Sequence, residues 1–314
     1  NLHITGMGAI VSSLVSDARV LLNLALAPFR HAGVTHKDRL EAFYQSQAGD
    51  YDAFRKRLLQ GREELMTEMK AAHGQGGIWC DLGGGTGANL EMMGDEAVMS
   101  FAKVYLVDLC GPLLDVARKR CEERGWHNVQ IIEDDATTWV PDEGYGQVDM
   151  ITFSYSLTMI PDWFAAVEHA AALLAPGGLL GTVDFYVARK HPAAGMASHS
   201  WIQRTFWPTW FQMDDVRLNM DHVPYLLRKF SKVQLIEGLA KVPYIGAVLP
   251  KVPFYRFIGR LTVEDGDDDA TAPGSIDLKL PSKGGVKGAD LSVSVAEFKK
   301  PRLQRVATGG VATD

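Results

Sequence analysis

Cysteine is scarce in this chain: three occur in 314 residues, at Cys80, Cys110 and Cys121. None forms a CxxC pair, so the sequence offers neither a disulfide framework nor a zinc set. Sparse, odd-numbered thiols suit a reducing compartment and are expected to pack as small hydrophobes. Excess positive charge is also missing. The net charge of −6 removes the electrostatic footprint of a nucleic-acid binder, so no nucleic-acid partner is expected. Long apolar runs are absent as well. From Gly8 to Phe29 the chain is mostly apolar, but Asp17 and Arg19 interrupt it. The charge-free stretch from Val20 to Phe29 is shorter than the roughly 20 residues a bilayer span needs. No basic start or cleavage site marks a signal peptide there. Residues 1–40 therefore read as an amphipathic helical segment, packed on the domain or lying on a membrane surface. Aromatic residues fade at the other end, where Phe298 stands alone in the last fifty positions. An acidic run from Glu264 to Asp269 opens that region, followed by Gly, Ser, Lys and Ala. Such a stretch buries too little apolar surface to offset its ordering entropy, so residues 264–314 are expected to be a disordered tail or linker. No internal repeat is visible.

What remains, residues 41–263, carries an alternation of strand and helix signals. Gly77–Leu82 is a short apolar run that ends in a glycine-rich turn, as a buried parallel strand does. A short helix follows from about Ala88. Val104–Val107, Val129–Ile132, Val148–Phe153 and Leu179–Phe185 read as further strands. Helices are expected from Pro112 to Arg124 and from Asp162 to Leu174, with Pro112 in a first turn and Asp162 as N-cap. Ala175-Pro-Gly-Gly178 stops the second helix. The pattern predicts an α/β fold: a Rossmann-like, mostly parallel seven-stranded sheet with helices on both faces. Ligands bind such sheets at the carboxyl ends of the strands.

The loop at residues 81–87, DLGGGTG, is where chemistry becomes legible. Gly83, Gly85 and Gly87 allow a tight turn and close approach of backbone to a ligand. The same letters fit a nicotinamide dinucleotide fingerprint, with Asp108 near the distance of a ribose contact. The loop alone leaves an oxidoreductase and a methyltransferase equally open. Four further features separate them. Asp81 directly precedes the glycines, where a carboxylate can receive an ammonium through water or backbone groups. Asp108 at the end of the second strand can accept from two ribose hydroxyls. Asp134, Asp135 and Ala136 follow the third strand, where an adenine amino group can be read. Leu174–Gly178 precedes the fifth strand. Each feature has a bland explanation, because turns favour acids. In this order and spacing they resemble the class I S-adenosylmethionine-dependent methyltransferases, and the resemblance implies S-adenosylmethionine as cofactor.

A closer resemblance covers about residues 18–261. Residues 43–62 (FYQSQAGDYDAFRKRLLQGR), 154–163 (SYSLTMIPDW), 204–211 (RTFWPTWF) and 238–255 (GLAKVPYIGAVLPKVPFY) look like the N-methyltransferase part of betaine lipid synthases. That family makes diacylglyceryl-trimethylhomoserine. One of its activities moves an aminocarboxypropyl group onto diacylglycerol, and the other adds three N-methyl groups. Only the second is visible here, so an aminocarboxypropyl transferase is expected as another part of a larger protein or as a separate partner. The resemblance implies an amino lipid substrate and a peripheral location on the cytoplasmic side of an internal membrane such as the endoplasmic reticulum.

An amine must be unprotonated to attack a sulfonium methyl, and an α-amino group titrates near pH 8. Alignment can then supply most of the catalysis. No metal is required. A homoserine carboxylate calls for a fixed cation, and a growing trimethylammonium calls for aromatic faces or carboxylates. Trp201, Trp207 and Trp210 around Arg204 supply both kinds of group, although near-helical spacing also suits a core face. His199 is a candidate for proton handling, as are His191 and His222. Tyr155 and Asp184 follow or end strands on the expected acceptor side, and Ser154 precedes Tyr155 on the cofactor side. Tyr44, Tyr51 and Arg55 are candidates to fold over the cofactor's carboxylate. Finally, the stretch from Gly238 to Val263 carries Lys241, Lys251, Arg256 and Arg260 among aromatic and aliphatic residues, with no acids. It reads either as the last strands of the sheet or as an anionic-membrane surface.

Overall fold

The computed structural model describes residues 58–212, 215–242 and 249–261. Residues 1–40 and 264–314, expected to be a helical segment and a tail, lie outside them. Seven strands form one sheet: β1 (Ile78–Leu82), β2 (Lys103–Asp108), β3 (Val129–Glu133), β4 (Val148–Ser154), β5 (Leu174–Phe185), β6 (Phe230–Ala240) and β7 (Val252–Leu261). Their order is β3-β2-β1-β4-β5-β7-β6. The first five strands pair in parallel, and β7 runs antiparallel to both β5 and β6. Seven helices accompany the described sheet: α1 (Arg62–His73), α2 (Ala88–Met93), α3 (Asp95–Ser100), α4 (Gly111–Arg124), α5 (Trp163–Leu173), α6 (Trp201–Gln212) and α7 (His222–Lys229).

Period-two alternation sends successive strand residues into two cores. Trp79, Leu106, Met150 and Val183 meet Met66, Leu90, Leu114 and Trp207 from α1, α2, α4 and α6. Cys80, Val107, Ile151 and Phe257 meet Val167 and Leu226 from α5 and α7 on the other side. Both faces are therefore covered, as parallel strands of this composition demand.

The strand and helix signals land close to their expected places. α4 has Pro112 in its first turn and ends at Gly125, whose φ of 68° lets its amide reach the carbonyls of Cys121 and Glu122. Asp162 caps α5 by accepting from the Ala165 amide at 3.0 Å. Two differences are informative. The turn expected at residues 175–178 lies inside β5: Leu174 already pairs with Val148, and the register shifts between Val148 and Met150. Pro176 and Gly177 thus form an irregularity in a long strand instead of a gap before a short one. Second, α7 and most of β6 fall where no element is expected, although α7 has Asp221 before it, Pro224 in its first turn and Arg228 and Lys229 in its last. β6 lies at one end of the strand order and alternates only partly between buried and exposed residues.

After Gly238, Leu239 and Ala240 end β6 and residues 252–261 form β7. β7 buries Phe254, Tyr255, Phe257 and Ile258. Arg256 makes a bidentate pair with Glu68, at 2.6 and 2.7 Å, and Arg260 donates to the carbonyls of Gly177 and Ala72, both at 3.0 Å. Arg256 is therefore buried in an ion pair, whereas Arg260 stays exposed while it braces neighbouring carbonyls; of the two readings of this stretch, its described part follows that of the last strands of the sheet. Residues 243–248 lie outside the described residues.

Candidate active site

Strand order reverses between β1 and β4, the place where open α/β sheets form a crevice. A cavity of about 350 Å³ opens there, at the carboxyl ends of β1 to β4. Gly83 and Gly85 form its floor, Asp108 and Cys110 one side, Asp134, Asp135 and Ala136 the next. The loop of residues 155–162 closes the remaining side with Tyr155, Ser156, Met159, Ile160, Pro161 and Asp162.

Asp108 organises two of these walls. Its Oδ2 accepts from the Gly85 amide and its Oδ1 from the Cys110 amide, both at 2.9 Å. The glycine turn and the start of α4 are thereby hung on one carboxylate that also lines the cavity. Asp135 Oδ1 accepts from the amide and hydroxyl of Thr137, at 2.8 and 2.7 Å, and Asp134 Oδ1 accepts from the Asp135 amide at 2.7 Å. Gly83 adopts φ 71° and lies so close to Ser156 that a Cβ on it would collide with the serine side chain. Gly87 (φ 73°) precedes α2 as its N-cap.

Asp81 does not reach the cavity. It is fully buried, accepting from Asn89 Nδ2 at 2.9 and 3.0 Å and from Thr152 Oγ1 at 2.7 Å. Burial pushes its carboxyl up to about 6, against the pull of Thr152, Asn89 and the Arg62 guanidinium. Arg62 Nη2 donates to Asn89 Oδ1 at 2.8 Å and its Nε to Ser154 Oγ at 3.0 Å. Asp81 and Ser154 therefore brace the turn from beneath, and any effect on a ligand passes through the backbone. Arg62 and Asn89 were invisible as partners in the sequence. Asn89 sits only eight positions after Asp81, but its rotamer is set by the fold.

The acceptor-side candidates divide. Tyr155 lines the cavity with φ 55°, a rare conformation for a bulky residue that is often found at functional sites. Its hydroxyl donates to the Gln60 carbonyl at 2.6 Å, and burial, first, with the Asp184 charge, holds its pKa well above 10. It is a wall, not a base. Asp184 turns away from the cavity. It is fully buried and grips the amide and hydroxyl of Thr158 at 3.0 and 2.7 Å, so its placement as a catalytic group is corrected. His199 Nδ1 accepts from the Ala188 amide at 2.8 Å, its pKa lowered mainly by burial; it braces a connection and does not line the cavity. His222 is sealed in the core against Trp163, 4.6 Å between ring centroids, and burial lowers its pKa to about 3. His191 is exposed. Arg204 is half-buried on α6 and does not line the cavity.

The three tryptophans split by helix face. Trp207 is only 1% exposed and donates to the Lys251 carbonyl at 3.1 Å, so it is core, which corrects its expected role as a substrate residue. Trp201 is 71% exposed. With Ile202, Phe206 and Trp210 it lines a separate, shallow apolar groove on the outer face of α6. The inner face leads back to the cavity: Phe211 packs on Phe185 (4.9 Å) and Phe185 on Tyr155 (4.6 Å). Tyr44, Tyr51 and Arg55 lie outside the described residues.

The charge of the cavity distinguishes the two cofactor classes. Its described lining holds four carboxylates, Asp108, Asp134, Asp135 and Asp162, and no lysine or arginine. A pyrophosphate would meet repulsion here, whereas a sulfonium compound bearing ribose hydroxyls and an adenine amine meets acceptors at each position. The residues present fit S-adenosylmethionine.

Comparison with known proteins agrees. Residues 51–230 match the family model described as "Methyltransferase domain". Demethylmenaquinone methyltransferase of Geobacillus stearothermophilus is 25% identical over 151 residues, which span 46% of this chain and 61% of the relative. The enzyme of the same name from Staphylococcus saprophyticus is 26% identical over 149 residues, again 46% and 61%. The match thus spans about 61% of the curated relatives' length. Among solved structures, a Haemonchus contortus phosphoethanolamine N-methyltransferase 2 bound to phosphomonomethylethanolamine and S-adenosylhomocysteine superposes with TM-score 0.55 at 14% identity, covering 74% of this chain and 61% of that one. The [4+2]-cyclase SpnF superposes with TM-score 0.54 at 14% identity, covering 74% and 98%; these likenesses show the fold. With the family match and the carboxylate-lined cavity together, the chain belongs to the methyltransferase-domain family and carries the class I cofactor site for S-adenosylmethionine.

Proposed function

We propose that this protein is an N-methyltransferase that converts diacylglyceryl-homoserine to its trimethylated betaine lipid by three successive methyl transfers. The observation that carries the substrate class is the apolar groove on α6, set one aromatic relay (Phe211, Phe185) from the cavity wall at Tyr155. α6 contains no acid, and its Gln203 and Trp207 hold the carbonyl of exposed Lys251. An acid-free, aromatic helix with a cation beside it complements an anionic lipid surface. The resemblance to betaine lipid synthases points the same way.

When bound, S-adenosylmethionine supplies the electrophilic methyl group. Asp108 would hold its ribose, Asp135 and the Ala136 backbone its adenine, and the Gly83–Gly85 turn its amino-acid end. The described lining offers no histidine or lysine but four carboxylates; the amine must lose a proton before each of the three transfers, to water or to one of these acids. The chain's contribution is alignment and a field of carboxylates that favours the developing ammonium. Tyr44, Tyr51 and Arg55 are proposed to cover the cofactor's carboxylate.

A diacyl lipid leaves a bilayer at a cost of about 0.8 kcal/mol per CH₂, so the enzyme must come to the membrane. No helix among the described residues is long and apolar enough to cross it. We place the protein peripherally on the cytoplasmic side, beside an aminocarboxypropyl transferase that makes its substrate. Incubation with labelled S-adenosylmethionine, diacylglyceryl-homoserine, phosphoethanolamine lipid and demethylmenaquinone, read by mass spectrometry, tests the assignment. Mono-, di- and trimethylated homoserine lipid is expected. Turnover of demethylmenaquinone alone would move the chain to the activity named for its curated relatives. Binding of S-adenosylhomocysteine without turnover of any amine or quinone would leave a cofactor-binding scaffold.

A further inference from the structure

Thr158 stands in the loop of residues 155–162, and its three polar atoms are all held, two by Asp184 and one by the segment after α6. Its amide donates to Asp184 Oδ2 at 3.0 Å and its hydroxyl to Asp184 Oδ1 at 2.7 Å. Its carbonyl accepts from the Arg217 amide at 2.8 Å. Thr158 does not itself line the cofactor cavity, but Tyr155, Ser156, Met159 and Ile160 on either side of it do. Asp184 receives a third donor, the Phe185 amide at 2.8 Å, and has no exposed surface at all.

A carboxylate sunk into a sheet is an expensive way to fill space, and apolar residues of similar volume do that better. Three donors explain how Asp184 is tolerated, not why a carboxylate is there. The donors' positions supply the reason. Two belong to one residue of the neighbouring loop, so the acid at the end of β5 fixes the chain that leaves β4. That chain needs fixing, because it departs through Tyr155 in a left-handed conformation, which persists only where the surroundings over-determine it. The Tyr155 amide is anchored to the Val183 carbonyl at 2.7 Å, and three residues later Thr158 is anchored to Asp184. The two anchors lie on adjacent residues of β5 and bracket the turn. On the far side, Arg217 ties the same threonine to the segment that follows α6.

We propose that Asp184 is a positioning residue which, by clasping Thr158, sets the 155–162 wall of the cofactor cavity before ligand arrives. The proposal rests on the reading of that cavity as the S-adenosylmethionine site. A wall already in place spares the bound complex the cost of ordering it, so loss of the clasp should appear as weaker binding. It should appear equally whether the acid or the threonine is removed.

The test uses the full chain and calorimetric titration with S-adenosylhomocysteine. Asp184→Asn keeps the shape but substitutes an amide NH₂ for one acceptor. Thr158→Val removes only the hydroxyl, and Thr158→Ser restores it. Asp184→Asn is expected to weaken binding at least tenfold and Thr158→Val about threefold to tenfold, with Thr158→Ser at the wild-type value. The double variant Asp184→Asn/Thr158→Val should be no weaker than Asp184→Asn alone, because one interaction is being removed twice. Leu226→Ala, a core truncation on α7 away from the cavity, controls for general loosening and should lower the melting temperature with its dissociation constant unchanged. Unchanged affinity in Asp184→Asn, additive losses, or equal weakening in Leu226→Ala would each overturn the proposal. If Asp184→Asn does not fold, the Thr158→Val and Thr158→Ser pair decides alone. Absence of binding in the wild-type protein would instead overturn the cofactor reading.

Discussion

The two halves of this sheet carry their chemistry in different ways. Around β1 to β3, the groups that line the cavity are acids and glycines at strand ends, each within a few residues of the turn it organises. Around β5 to β7, the polar and aromatic residues that looked functional are mostly spent on the fold. Asp184 clasps a loop, His199 braces a connection, Arg256 pairs with Glu68, and Trp207 fills a core. The difference teaches that a cofactor common to many enzymes can be recognised by local turn chemistry, whereas an acceptor surface is assembled from long-range packing.

The largest expected effects contrast the two faces of α6. Trp207→Ala should cost about 3–5 kcal/mol in denaturant unfolding, the usual penalty for emptying a large aromatic site. Trp201→Ala should change stability by less than about 0.5 kcal/mol, yet reduce flotation with anionic vesicles. Equal destabilisation by the two would erase the distinction between core and groove. Next, Asp108→Ala strips acceptors from the Gly85 and Cys110 amides along with the proposed ribose contact. Losses of this kind, about 3 kcal/mol together, correspond to roughly a hundredfold weaker binding of S-adenosylhomocysteine by calorimetry. Retained affinity would mean that the legible half of the site was misassigned.

A pH experiment probes a buried acid in each half. Burial raises the Asp184 carboxyl to about 7 and the Asp81 carboxyl to about 6, both above their unfolded values. Each group's stabilising contribution is therefore full below about pH 4 and is lost as pH rises through 6 and 7. Asp184→Asn cannot ionise, so its unfolding free energy relative to wild type should rise by about 2–3 kcal/mol between pH 5 and 8. A flat difference would show that the acid is charged in the fold throughout that range. The smallest effect belongs to Asp162→Ala, which removes the N-cap of α5 and should cost about 1 kcal/mol.

How much the sequence disclosed follows from the range of the interactions. The glycine turn, Asp108 and Asp135 were legible because a turn and its acceptors sit close together in the chain. Asp162 was legible for the same reason. The Arg62–Ser154 bond spans 92 positions, and nothing local announces it. The tryptophan spacing on α6 indicated an amphipathic helix, but periodicity gives only an angle around the axis. Which side faces the sheet is decided by β7, since the Lys251 carbonyl before that strand receives the Trp207 indole. β6 hid itself because it lies at the end of the strand order, with weak alternation between its faces.

The close approach of Gly83 to Ser156 has a meaning in terms of mutational paths. A methyl group at position 83 would strike the Ser156 side chain, and trimming position 156 to glycine would relieve only that collision, because the backbone at 83 would still hold φ at +71°. Position 83 therefore has no single-step neighbour that preserves the turn. It should remain fixed in any selection for activity, while position 156 stays free to exchange serine for alanine so long as Leu82, whose carbonyl now accepts the serine hydroxyl at 2.9 Å, finds another donor.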